Sequence, residues 1–509
     1  MKHFPHTIII LIALLLTAGS WISAPAQVVV SAVPVGKRAP LRVDSDLPSS
    51  VDNTLKKYFP PLIDQKGGSC AQASAIGYMF TYEMNRLLDR DARASADNRF
   101  SYQYTYNFVN DGEDGGSFGW DGLSLAMSNG IITEGDFPVS SSSSFKWATG
   151  YDKYLKAIHY RATGFRQISL EKWDDLAQVK QFLYDRGESG KPGGLVVYSA
   201  KATNWSFNNN YSGPSETGYK CLLTKLATEG GHALTIAGYD DLVEFTTPSG
   251  EVTRGAFIVV NTWGSYSHDN GRFYLPYWFF FNSVPANSLS SYVTTVDVAY
   301  QEPKIVYRVG VSCDSRDDLS FMIGAASGNM AATPTAGLRV SIANHQGGDY
   351  PMQGFYWPSD IEFAFDFSSA VPRVEEMTDP TWFLNVERAA RGNKKAVVAR
   401  LDRFEVYDYR GGMADPRHYI YDLSEAVEEG RRDFSSGDNL YALTSVPPCY
   451  VSCSPLTWLD RLKQPVAAPL IFKTAAGNYA KVRFSSYDRE KGTITLKYVY
   501  NPNGGRDVR

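Results

Sequence analysis

Residues 64–75 read Asp64-Gln65-Lys66-Gly67-Gly68-Ser69-Cys70-Ala71-Gln72-Ala73-Ser74-Ala75. Two glycines and a serine precede a single cysteine, and helix formers follow it. Further on, Ile76, Phe80, Met84 and Leu87 fall four, four and three apart, the apolar stripe of an α-helix. The glycines supply a tight turn, so Cys70 is expected at or near the helix N-terminus. The positive end of the helix dipole favours a thiolate there. Read alone, the stretch leaves open a structural disulfide, a buried small hydrophobe and a catalytic nucleophile.

Composition narrows the setting. The chain has 509 residues, a formal net charge of -4, 43% hydrophobic residues and 20% charged residues. That length allows two to four domains with large cores. There is no Lys/Arg block, so neither nucleic acid nor an anionic membrane surface is an expected partner. The 32 Tyr, 43 Gly and 26 Pro lean toward strands and turns. At the N-terminus, Lys2 and His3 precede an apolar run from Ile8 to Leu16, and Ala24-Pro25-Ala26 follows. This is the pattern of a signal peptide over residues 1–26, with a secreted or periplasmic mature chain starting near Gln27. The run is too short to span a bilayer, no later stretch is long enough, and the mature protein is expected to be soluble.

Export places the chain where disulfides persist. The five cysteines are Cys70, Cys221, Cys313, Cys449 and Cys453, so at least one thiol is expected to be unpaired. Cys449 and Cys453 are close enough in sequence to pair in a tight loop. No metal-ligand spacing appears, and no metal or organic cofactor is expected.

Residues 27–46 are short, polar and mixed, a linker or short pro-segment. Residues 119–138 read as a second short helix ending near Gly130, and Ser140–Ser144 as a serine loop. His232–Ala237 alternates like a strand, and Phe257–Val260 is an apolar strand ending at Asn261. From Pro303 onward period-2 runs dominate: Ile361, Phe363, Phe365 and Phe367, then Ile494, Leu496, Tyr498 and Tyr500. These imply half-buried strands, with one short helix expected near Asp422–Arg431.

Three islands carry the chemistry: Gln65–Cys70, then Gly230-Gly231-His232-Ala233, then Asn261-Thr262-Trp263-Gly264. A thiol is a poor nucleophile until deprotonated, and an imidazole can take its proton. The imidazole must be held in one tautomer, which an Asn side-chain oxygen can do. A developing oxyanion needs donors, which a helix N-terminal N–H and a Gln amide can provide.

In this Cys, His, Asn order the sequence resembles the papain-like cysteine peptidases. Leu47–Asp52 looks like the start of their mature domain. Gly116-Ser117, Asn129-Gly130-Ile131 and Glu134–Pro138 resemble the stretch whose glycines line the substrate strand. The resemblance covers about residues 47 to 280. It implies an α+β papain-like catalytic domain of two lobes over 47–302. An all-β sandwich-like domain over 303–415 and a β-rich domain over 416–509 are expected to follow. It implies Cys70 as nucleophile, His232 as base and then acid, Asn261 as orienting partner, and Gln65 with the Cys70 N–H at the oxyanion. Gly116 and Ser117 would pair with substrate, and Trp263 would shield the His–Asn pair. Protein or peptide substrates follow. The C-terminal domains are candidates for binding substrate, a glycan or a cell surface, by analogy with modular secreted enzymes.

The chain also departs from the pattern. Gly67 stands where a cysteine belongs and Ala71 where an aromatic belongs. Gln65 is five residues before Cys70 where six are usual, and Ser267-His268 replaces a second Trp-Gly. His268 is expected on a surface loop, and only the short 27–46 segment stands where the family has a large pro-segment. The alternatives are a catalytically inactive papain-fold binding protein and a related acyl-transfer enzyme.

Overall fold

The computed structural model describes residues 36–141, 145–282, 287–328, 334–340, 342, 347–388, 399–421, 425–427, 430–435, 470–473, 479–488 and 493–501. The signal-peptide segment, Cys449, Cys453, His345 and Ser142–Ser144 lie outside the described residues.

The helix expected after Cys70 forms, and it runs without a break through Cys70–Gln72, Ala73–Phe80 and Thr81–Leu88. Its middle segment has π winding, with the Thr81 N–H reaching the Ile76 carbonyl five residues back. Every residue from Ala71 to Asn85 is buried, so the helix is a central strut and not an amphipathic surface element. Leu87, expected on the buried stripe, is exposed, because the helix leaves the core just before Asp89 ends it in a left-handed conformation. The turn ahead of the helix needs glycine: a Cβ on Gly67 would lie 2.2 Å from the Asp114 carboxylate, and φ there is +61°. Helices Tyr102–Val109, Gly119–Ser128 and Tyr151–Ile158 complete a helical lobe.

The second lobe is one ten-stranded sheet. Its longest strand, Gly231–Thr246, pairs antiparallel with Val196–Lys201 on one side and Val252–Val260 on the other. Val51 of the segment expected to open the domain pairs with Tyr239 of the same strand. The register that sets Thr235 opposite Val260 brings the start of one strand and the end of the next to a single edge. His232 and Asn261, 29 residues apart in sequence, therefore become neighbours. The central helix crosses to this edge, where Ser74 Oγ donates to the Ala233 carbonyl at 3.0 Å and Tyr78 Oη to the Asn261 carbonyl at 3.1 Å.

The C-terminal part is mostly β among its described residues, with only short helical turns at Arg316–Asp318, Ser368–Ala370 and Val371–Val374. Strands Ile305–Ser312, Asp360–Asp366, Ala399–Asp408 and Arg417–Tyr421 form one sheet, with Glu425–Val427 added to it. Leu319–Ala326, Ala336–Arg339, Thr381–Arg388 and Gly430–Ser435 form a second. Strand pairing thus runs straight through position 415, where a boundary was expected. The helix expected near Asp422–Arg431 is replaced by strands Glu425–Val427 and Gly430–Ser435, whose partners across the sheet outweigh weak local helix preference. Strand Thr493–Asn501 forms as expected, in a separate three-stranded sheet.

Ile361, Phe363, Phe365 and Phe367 are buried as expected, but so are Ala364 and Asp366 between them. Their strand is the edge of its sheet and lies against the helical lobe. Asn129 Nδ2 donates to the Ala364 carbonyl at 3.1 Å, and Arg161 pairs with Asp366 at 2.8 Å. One apolar core runs from the helical lobe into the sandwich, with Trp147 and Tyr154 both against Phe363.

Candidate active site

A cleft of about 1300 Å³ opens between the two lobes. Gln65, Cys70, Gly116, Ser117, His232 and Trp263 all line it. Asn261 stands behind His232, fully buried. Residues expected to act together are thus brought together. Of the glycine-bearing stretch after Gly116, neither Gly130 nor Gly135 reaches the cleft. Gly130 turns the chain out of helix Gly119–Ser128, where a Cβ would strike the Ala157 carbonyl at 1.9 Å.

His232 Nε2 lies 2.8 Å from Asn261 Oδ1. An amide oxygen only accepts, so Nε2 carries the imidazole proton and Nδ1 is bare. Asn261 Oδ1 also accepts the Thr262 N–H at 2.7 Å. Trp263 stacks on the His232 ring at 4.7 Å and 25°, and Trp205 stands edge-on to Trp263 at 5.4 Å. These rings keep water off the imidazole–amide bond.

Cys70 is half-buried at the first turn of its helix. Burial pushes its thiol above the ordinary value, while the N–H groups of Ala233, Ala71 and Cys70 itself pull it back. The thiolate preference expected from the helix terminus is therefore outweighed by desolvation. His232 is pushed the other way: burial lowers it, and the Asn261 hydrogen bond partly restores it. Each group alone is held neutral. A proton passed from sulfur to imidazole creates both charges together, which offsets a cost neither could bear singly.

Gln65 is held from both ends. Its N–H donates to the Thr262 carbonyl at 2.7 Å, and its Oε1 accepts from Thr262 Oγ1. Its Nε2 donates one hydrogen to the Gly67 carbonyl at 2.8 Å, which leaves a second. A loop one residue short therefore still brings this amide to the cleft. Ser117 Oγ accepts from Gln72 Nε2 at 3.1 Å, and Phe118 O accepts from the same nitrogen at 2.8 Å. Asp114 carries the turn before Cys70 by accepting the Gly68 N–H at 2.7 Å and the Tyr106 hydroxyl at 2.5 Å. Gln72, Asp114 and Trp205 carry no sequence signal of a place in the site.

His268, expected on the surface, is packed against the site. Its Nε2 is 2.9 Å from Asn261 Nδ2. Of the remaining histidines, His159 stacks on Tyr300, and His418 stacks on Tyr407 with Nε2 3.0 Å from Glu405. Cys70 and Cys221 are free thiols.

Solved structures similar to this chain are papain-like cysteine proteases. Xylellain, a cysteine protease from Xylella fastidiosa, is 18% identical at a TM-score of 0.37, over 54% of this chain and 95% of its own. Procathepsin B from Trypanosoma congolense is 13% identical at 0.37, over 58% and 99%. The bromelain protease from Ananas comosus, in complex with the E64 inhibitor, is 14% identical at 0.32, over 49% and 98%. Likeness at this level assigns no role to any residue. No family model and no curated protein matches the chain.

Among the described residues no three His, Cys, Asp or Glu side chains are grouped as a metal site would require. No described helix is long and apolar enough to cross a membrane.

Proposed function

We propose that this chain is an exported cysteine peptidase. One observation carries the reading. The Asn261 amide occupies His232 Nε2 at 2.8 Å, so the bare Nδ1 is the nitrogen left for the cleft that Cys70 also lines.

In this reading, Cys70 Sγ gives its proton to His232 Nδ1 and attacks a peptide carbonyl. The oxyanion takes the Cys70 backbone N–H and the second hydrogen of Gln65 Nε2. His232 then protonates the leaving amine, and the acyl group stays on sulfur as a thioester. Water, deprotonated by His232, hydrolyses that thioester and restores the thiol. Gly116 and Ser117 hold the substrate backbone beside the sulfur. Peptides or unfolded segments fit an open cleft of this size.

The test is labelling of the mature protein with an irreversible epoxide inhibitor of cysteine peptidases, followed by peptide mapping. Modification at Cys70 alone, absent in Cys70→Ala and slowed in His232→Ala, is the expected result. A folded protein whose Cys70 stays unlabelled would instead be a binding protein built on the same scaffold.

A further inference from the structure

Asn261 is gripped at both ends of its amide. The oxygen takes the His232 Nε2–H and the Thr262 N–H, at 2.8 and 2.7 Å. The nitrogen, a donor only, points at His268 Nε2, 2.9 Å away. His268 Nε2 must therefore be bare, with the ring proton on Nδ1. That nitrogen lies 3.8 Å from Cys221 Sγ, and the Cys221 thiol donates in turn to Asn209 Oδ1 at 3.2 Å. The donors all face one way, from His232 through Asn261, His268 and Cys221 to the Asn209 amide oxygen.

We propose that His268 is a positioning residue, which locks the Asn261 amide in the orientation that keeps His232 Nδ1 free for the Cys70 thiol. Its catalytic consequence rests on the peptidase reading, whereas the direction of the bonds rests on geometry alone. Rotating the amide by 180° would set its NH2 against the His232 N–H and the Thr262 N–H. His268 prevents this by rewarding only the orientation that offers it a hydrogen.

The surroundings fit this task. His268 is walled by Phe207 at 4.5 Å, Phe273 at 4.9 Å and Trp205 at 5.8 Å. The titratable groups facing it are His232 and Cys221. Asp269, next in the chain, accepts the Lys220 N–H at 2.7 Å. Burial, with His232 nearby, pushes His268 down to about 4, and burial pushes Cys221 up to about 12. Both stay neutral between those limits, so the proton pattern does not change with ordinary pH. His268 has φ +52° and Asn270 φ +48°, left-handed conformations that His and Asn accept more readily than other residues with a Cβ. The loop is bent to deliver this ring.

The experiment uses the full mature chain labelled with 15N-histidine. Ring nitrogen shifts near pH 7 report each tautomer. Wild type should show His232 protonated on Nε2 and His268 on Nδ1, opposite tautomers. His268→Gln, which retains an acceptor, should leave His232 unchanged. His268→Phe should mix the His232 tautomers and slow alkylation of Cys70 by iodoacetamide about 10- to 100-fold. If the phenylalanine variant does not fold, the wild-type tautomers and the glutamine variant still decide. His268 protonated on Nε2, or a folded His268→Phe with wild-type tautomers and alkylation, overturns the proposal. Opposite tautomers with a Cys70 no more reactive than a free thiol would sink the peptidase reading and leave the His268 assignment standing.

Discussion

The cleft and the seam between the helical lobe and the sandwich both bury polar groups, yet they dispose of them differently. At the seam, Arg316 is 1% exposed. Its guanidinium donates to the Gly347 carbonyl at 2.8 Å and the Phe145 carbonyl at 2.9 Å, and it lies over the Trp147 ring at 4.3 Å. Tyr151 and Tyr409 hydroxyls meet nearby at 2.8 Å. The Arg316 guanidinium finds acceptors on both sides of the junction. At the cleft, the bonds through Asn261 stop at an imidazole with one nitrogen still bare. A closed network holds two domains together, and an open-ended one is available for proton transfer.

That contrast breaks most directly at Cys70. Cys70→Ala should lower peptide hydrolysis at least about 1000-fold, with the unfolding midpoint nearly unchanged. A large loss of stability instead would make Cys70 a core residue like those of the seam. Arg316→Met should do the reverse. It leaves two carbonyls without a donor and should cost about 3 kcal/mol in denaturant unfolding, with hydrolysis by the folded fraction preserved.

Acid should test the cleft side. His268 is held below its ordinary 6.5, at about 4, so the unfolded chain binds a proton that the folded chain refuses. Stability is therefore present above 6.5 and lost as pH falls toward 4. At 1.36 kcal/mol per pH unit the full difference is about 3 kcal/mol. His268→Gln should flatten that slope in unfolding curves recorded between pH 7 and 4. An unchanged slope would assign the acid sensitivity to other groups.

Smaller effects belong to the loop that joins the two regions. A Cβ on Gly112, whose φ is +72°, would lie 2.3 Å from Gly348 Cα across the seam. Gly112→Ala should cost about 2 kcal/mol and raise KM, since Asp114 and Gly116 follow on the same loop. Tyr350 Oη donates to the Gly112 carbonyl at 2.9 Å. Tyr350→Phe should cost about 1 kcal/mol, with the KM change marking how firmly the sandwich holds the cleft wall.

The parts readable in advance share a cause. Cys70 at a helix start, His232 on a strand and Asn261 after a strand each follow from local pattern, namely glycines before a helical run and apolar runs that end at a polar residue. His268 carried no such signal, because Ser267-His268-Asp269 is an ordinary polar loop until Gly264 and Gly271, with φ of +76° and +74°, fold it back. Leu87 fits the stripe yet is exposed, because a stripe gives the face of a helix and not the point where it leaves the core. Strands Glu425–Val427 and Gly430–Ser435 leave no local signature, because their partners are more than twenty residues away in sequence.

The sequence by itself determined the order Cys, His, Asn, the central helix and the β character of the C-terminal half. Those rest on periodicity and turn chemistry, which act within a few residues. Tertiary structure alone decided the rest. It set the register that makes His232 and Asn261 neighbours, the burial that drives Cys70 up and His232 down, and the return of His268 to the Asn261 amide. It also packed the sandwich onto the helical lobe. Each depends on which distant groups exclude water from one another, and that is a property of the assembled core.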